Sequence, residues 1–214
     1  MRIRDILLTR ICRYLSLPDE VPVGQYMTIS AFTAYPYSRG HLHITGKRLE
    51  DPVNFVTGIF TDPHDIDIKK CMWAYKKQRE IARRMETYRG EVARTHPPFP
   101  LSSQAACIEI DEPLGRDIND IEYTPEDDLI LEQWLREHVI TAWHPLGTCK
   151  MAPFDEMGVV DAELNVYGVE NLKIADLSIP PQNVAANTRN TAMVIGERAA
   201  DIFIAELGLG SHPS

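Results

Sequence analysis

The sequence predicts an α+β chain, a mixed and largely antiparallel sheet with flanking helices, and three patterns carry that expectation. Between Met27 and Thr45, apolar and polar side chains alternate in two short runs. From Ile68 to Tyr88, from Thr124 to Val139 and again after Thr188, apolar residues instead recur at helical spacing. Two short β-rich runs, 158–161 and 172–175, flank a Tyr167-Gly168 turn ahead of the last helix.

In chain order, residues 1–24 form a first segment in which Ile3, Ile6, Leu7, Ile11 and Leu15 line one face of an expected short helix. Arg10 and Arg13 interrupt the apolar stretch that a secretory signal needs, and an Arg-rich transit peptide is the alternative reading. Met27, Ile29 and Ala31 alternate with Thr28 and Ser30, so 27–34 reads as a half-buried strand. After the Tyr35–Gly40 connection, His41–Thr45 reads as its antiparallel hairpin partner. His41 and His43 share one face without a carboxylate or cysteine at matching spacing, which favours solvent-facing residues over a metal site. Residues 49–65 read as a loop. The next helix carries Ile68, Cys71, Met72, Tyr75, Ile81, Met85 and Tyr88 on its inner stripe. Lys69, Lys70, Lys76, Lys77, Arg83 and Arg84 lie opposite, a solvated outer face broken by Glu80 and Glu86.

The His96–Pro100 run HPPFP is an extended, stiff segment, and 108–123 is an acidic surface loop. Thr124 then caps a helix with Pro125 at its first position and Glu126, Asp127 and Asp128 in its first turn. Leu131, Trp134, Leu135 and Val139 form its buried stripe, and its end is expected to deliver Trp143 and His144. Asn187 or Thr188 caps the last helix, whose inner face is Ala192, Ile195, Ala199, Ile202 or Phe203, and Leu207. Gly196 there is expected to allow close approach of a neighbour.

Composition narrows the function classes. A net charge of −9 opposes non-specific nucleic-acid binding and leaves small molecules or proteins as partners. The cysteines at 12, 71, 107 and 149 are scattered, with no CxxC pair, which argues against structural zinc or a disulfide framework and for a reducing compartment. No apolar run is long enough to span a membrane. An intracellular site, cytoplasm or peroxisome, is expected, although the C-terminal Ser-His-Pro-Ser is not an S-K-L address.

By residue type alone, a single histidine beside a tryptophan reads as a packed core residue. The blocks TAWHPLGTCKM, GVVDAELNVYGVENLKIADLSIPP and NTRNTAMVIGERAA bear on this choice. So do EYTPEDDLILEQWLREH, HPPFPLSSQA, WAYKKQREIARRMETYRGEV and YPYSRGHLHITG upstream. Together, in order and spacing, they resemble the C-terminal part of the glucose-methanol-choline (GMC) family of flavin oxidoreductases, and within it the alcohol oxidase branch. The resemblance covers nearly everything from about Tyr26 to Gly208.

The resemblance implies a substrate-binding domain over 25–150 and a return to an FAD-binding domain over 151–214, contributing its last strand and helix. It implies FAD-dependent oxidation of small primary alcohols to aldehydes, with O2 as a final acceptor. His144 would take the hydroxyl proton while the hydride passes to flavin N5, and Asn187 would hydrogen-bond the substrate oxygen. Asn187 and Thr188 would contact the N1–C2=O edge, Asp176 and Leu177 would lie along the ribityl and pyrophosphate, and Trp143 beside the ring. No metal ligand is implied. Chemistry agrees on one point: histidine is a suitable base near neutral pH, and no side chain can accept a hydride. Without the resemblance, Asp176 reads as a turn-forming residue after a strand.

No GxGxxG opens a strand-turn-helix; the lone GxG, Gly208 to Gly210, precedes no helix. The chain is therefore expected to be the C-terminal part only and inactive alone, with a separate FAD-domain chain or a homo-oligomer as partner. The alternative is a non-catalytic remnant or interaction protein that retains this fold.

Overall fold

The structure is a computed structural model and describes residues 3–5 and 24–209. Its contacts divide the chain into two units: Met1–Arg39 with Gly58–Ala142, and Gly40–Thr57 with Trp143–Ser214. The division at Trp143 falls ahead of the boundary expected at residue 150, and the hairpin at 40–57 belongs with the C-terminal residues.

In the first unit, β1 (Ile3–Asp5) runs parallel to β2 (Gln25–Met27) on one side and to β5 (Tyr88–Glu91) on the other. The helix expected over the first residues is thus a strand at Ile3–Asp5, where ladders on both edges satisfy the backbone. The rest of that expected helix lies outside the described residues.

Helix α1 (Ile66–Arg83) begins where the Asp62 carboxylate accepts the amides of Ile66 at 2.6 Å and Asp67 at 3.2 Å. It buries Ile68 and Tyr75 as the periodicity predicts, but continues along Gln78, Arg79 and Ala82, leaving Ile81 59% exposed. It also ends at Arg83 rather than running on to Tyr88. The chain turns there, with the Tyr88 amide on the Met85 carbonyl, to enter β5. Its basic side is not simply solvated: Lys76 pairs with Asp128, Lys77 with Asp120, and Arg84 with Glu80 and Asp120.

Across from α1 lies α2 (Pro125–His138). Its capping box is complete: Thr124 Oγ1 accepts the Asp127 amide at 3.1 Å, and Asp127 Oδ2 accepts the Thr124 amide at 2.8 Å. Leu131, Trp134 and Leu135 join Ile68, Tyr75, Phe99 and Ala105 in one core. The helix stops at His138 and does not deliver His144. The β-branched run Val139-Ile140-Thr141 is poor helix material, and the chain is already extended at Val139. Most of 108–123 is exposed, as expected of a loop, although Ile108 and Ile110 exchange backbone bonds with Glu91 and Arg89.

In the second unit, β3 (His41–Ile44) pairs antiparallel with β4 (Val53–Val56), not with 27–34. The 45–52 turn closes this hairpin through the Arg48 amide on Asp51 and the Thr45 hydroxyl on the Pro52 carbonyl. Regular strand ends at Met27 in the segment once expected to pair, while Val53, Phe55 and Val56 suit a strand. His41 and His43 are exposed, their ring centroids 5.1 Å apart.

A second core gathers Val160, Leu164, Ile179, Ala199 and Ile202. The runs 158–161 and 172–175 contribute isolated bridges, Met151–Val160, Val160–Val166 and Asn165–Lys173, rather than full strands. Helix α3 (Arg189–Glu206), with Thr188 at its N-cap, packs Ala199 and Ile202 inward with Ile195 and Phe203 beside them. Leu207 is 70% exposed because it sits at the C-cap, beyond the last turn. A Cβ at Gly196 would meet open space, so the expected close neighbour is absent among the described residues. The fold is α+β, with three α-helices among the described residues, none long and apolar enough to cross a membrane.

Candidate functional site

The residues singled out in the sequence all lie in the second unit, and two sets of bonds draw several of them together. After His144 the chain turns at Gly147, whose φ of +81° is left-handed and whose added Cβ would sit 3.0 Å from the Pro180 carbonyl oxygen. Amides of Gly147, Cys149 and Met151 then donate to the carbonyls of Leu177, Ser178 and Ile179 at 3.1, 2.9 and 2.8 Å. This fixes the loop after His144 against the loop after Asp176. The second link is direct: His144 Nδ1 and Thr188 Oγ1 are 2.9 Å apart.

His144 is half-buried, and its Nε2 has no hydrogen-bond partner among the described residues. Thr188 is only 2% exposed, and its hydroxyl is engaged with the imidazole rather than turned to solvent. Asn187 is exposed, immediately before it. Trp143 is half-exposed at φ +56°, a conformation that is unfavourable for a bulky residue. Asp176 is exposed and accepts the Ser178 amide at 2.7 Å. Hydrogen bonds from Ser178 hold its carboxyl below the usual range, which is the turn-forming role.

A flavin carries an N1–C2=O edge that becomes negative on reduction, and one feature of the site suits it. Thr188 makes no side-chain cap bond to α3, and the first turn of the helix carries no acidic residue. Its positive end and uncapped amides thus fit an anionic edge, with Arg189 adding charge of the same sign.

Two features of the first unit were not anticipated. Glu91, His96 and Cys107 place potential metal-ligand atoms within 4.8 Å of one another. Both Glu91 oxygens, however, hold the Arg79 guanidinium, each at 2.6 Å, and His96 Nδ1 meets the Tyr75 hydroxyl at 3.0 Å. Burial pushes the Cys107 thiol up and keeps it protonated. A guanidinium already occupies the anion, so the cluster is a buried ion pair with aromatic neighbours and not a metal centre. The sequence signal was available: Arg79 lies four residues after Tyr75, on the apolar stripe. The other feature is a largely apolar cavity of about 520 Å³ along α1, walled in part by Phe32, Ile66, Trp73, Tyr75 and Val139. None of the site residues expected from the sequence lines it.

Comparison with known proteins shows the family. The family profile described as GMC oxidoreductase matches residues 36–196. The chain belongs to the GMC oxidoreductase family. Among individual relatives, it is 39% identical over 233 residues to alcohol oxidase of Pichia angusta, covering 88% of this chain and 35% of that protein. Among solved structures, it resembles an FAD-dependent oxidoreductase from Chaetomium thermophilum at 27% identity and a TM-score of 0.58, covering 81% of this chain and 26% of that one. It also resembles pyridoxine 4-oxidase from Mesorbium loti at 25% identity and a TM-score of 0.58, covering 84% and 29%. The chain thus spans about a third of the length of the curated relatives it matches.

Proposed function

We propose that this chain forms the substrate-side part of an FAD-dependent alcohol oxidoreductase that converts small primary alcohols to aldehydes, with O2 as the final electron acceptor. The observation that carries the reading is the anchoring of half-buried His144 through Nδ1 by Thr188 at the start of α3, with no hydrogen-bond partner on Nε2 among the described residues. In this reading Nε2 takes the proton of the alcohol hydroxyl, a step for which a histidine is suited near neutral pH. Asn187, a neutral amide, orients the alcohol oxygen and cannot itself act as the base. FAD, when bound, supplies the hydride acceptor that no side chain can be. The backbone at exposed Asn187 and the positive end of α3 would hold its acceptor edge, with Leu177 and Trp143 beside it.

None of the 214 residues forms a GxGxxG fingerprint, so the chain by itself is proposed to bind FAD poorly. The same observation favours the second reading, a non-catalytic interaction protein. A chimera separates them: this chain replaces the matching part of the Pichia angusta alcohol oxidase, and alcohol-dependent hydrogen peroxide is measured with methanol through butanol. The proposal expects a flavin-loaded chimera that releases peroxide and aldehyde in equal amounts. A flavin-loaded chimera that oxidises none of these alcohols contradicts it and favours the second reading.

A further inference from the structure

We infer that Thr188 is a positioning residue that holds neutral His144 with its proton on Nε2, so that the ring meets a substrate oxygen first as an N–H donor. The inference deepens the proposed function and rests on it only for the word substrate; the tautomer itself follows from hydrogen-bond accounting. A hydroxyl has one proton to give, and a neutral imidazole has one donor nitrogen and one acceptor nitrogen. Thr188 is 2% exposed, makes no cap bond to α3, and among the described residues its hydroxyl has one hydrogen-bond partner, His144 Nδ1 at 2.9 Å.

Only two arrangements fit. In one, the Thr188 O–H donates to Nδ1, both groups are satisfied, and the His144 proton sits on Nε2. In the other, Nδ1–H donates to Oγ1, and the hydroxyl proton of Thr188 is then left without an acceptor in a buried place. An unmet buried donor of this kind disfavours the second arrangement by roughly tenfold to a hundredfold.

The functional consequence is specific. Neutral His144 binds an alcohol or carbonyl oxygen by donating from Nε2, and in the direction from aldehyde to alcohol it is already the proton donor. To take a hydroxyl proton at Nε2, the ring must first exchange to the Nδ1–H form and the Thr188 hydroxyl must turn. After that step the imidazolium donates Nδ1–H to Oγ1. The hydroxyl that anchors the ring also makes its base form the minor tautomer.

Histidine-labelled full chain tests this without flavin or alcohol. Long-range proton–nitrogen spectra would be recorded at about pH 8.5, above the ordinary histidine range. The His144 signals are those missing in His144→Gln. The expected pattern is an unprotonated Nδ1 and a protonated Nε2, kept in Thr188→Ser and replaced by a mixture of both tautomers in Thr188→Val. A protonated Nδ1 in the unmodified chain, or a Thr188→Val spectrum matching the unmodified one, overturns the inference. If Thr188→Val does not fold, the unmodified chain and Thr188→Ser still decide. An inactive chimera would count against the proposed function and leave the tautomer result intact.

Discussion

Replacing Arg79 by methionine would leave the Glu91 carboxylate, 1% exposed, without the fork that now contacts both of its oxygens at 2.6 Å. It would also strip a donor from the Ala105 carbonyl at 2.9 Å and from the Tyr123 hydroxyl at 3.0 Å. Breaking a buried pair on one side costs about 3–5 kcal/mol, a large part of the 5–15 kcal/mol, roughly, that holds a domain folded. At about 2–4 °C per kcal/mol for a chain of this size, the melting temperature should fall by roughly 6–20 °C. Changing Glu91 to methionine as well removes the stranded charge, and the double variant should recover to within about 1 kcal/mol of the original or exceed it. Urea denaturation followed by circular dichroism and tryptophan emission gives all three stabilities. A loss below about 1 kcal/mol in Arg79→Met, or a double variant no more stable than Arg79→Met, would refute the reasoning.

The same pair sets an acid dependence. Burial opposes the charged form of Glu91, but the hydrogen bonds and charge of Arg79 outweigh it and hold the carboxyl below the usual range. A depressed carboxylate contributes its stability above the unfolded value, about 4.3, and loses it as pH falls through the lower folded value. Stability should therefore decline below about pH 4.3 more steeply in the unmodified chain than in Arg79→Met.

Three further substitutions test other parts of the fold. Both amide atoms of Gln78 are buried without a hydrogen-bond partner, so Gln78→Met should be neutral or stabilise by about 1–3 kcal/mol, seen as a higher melting temperature. A drop of similar size would show that the amide is satisfied in solution. Gly90 has φ +90°, and a Cβ there would lie 2.2 Å from the Ile108 carbonyl oxygen, so Gly90→Ala should cost about 2–4 kcal/mol in urea denaturation. Thr124→Ala removes the α2 capping bond and should cost about 0.5–2 kcal/mol, with Thr124→Ser retaining most of it.

Elements held by short-range interactions are legible in the sequence, and those held by long-range ones are not. The start of α2 was legible because Thr124, Pro125 and Asp127 act within one turn, and the inner face of α3 because Ile195, Ala199 and Ile202 obey one period. The partner of β3 was not, since the choice between 27–34 and Val53–Val56 depends on a turn whose closing contacts at Arg48 and Asp51 show no strong local signature. The strand at Ile3–Asp5 was hidden for a related reason: parallel pairing with residues far along the chain outweighed a local amphipathic pattern. His144 and Asn187 are singled out by family resemblance. The bond from His144 to Thr188 was not legible, because a threonine at a helix start reads as a cap until its hydroxyl is seen to be engaged elsewhere.

Flavin bleaching in the chimera, mixed anaerobically with alcohol in a stopped-flow instrument, bears most directly on the claim that His144 moves the proton. With flavin content matched, His144→Gln should slow bleaching by roughly a hundred- to ten-thousandfold. A His144→Gln chimera that bleaches within about tenfold of the unmodified one would place proton transfer on another group, since a loss that small lies below the range expected for a general base.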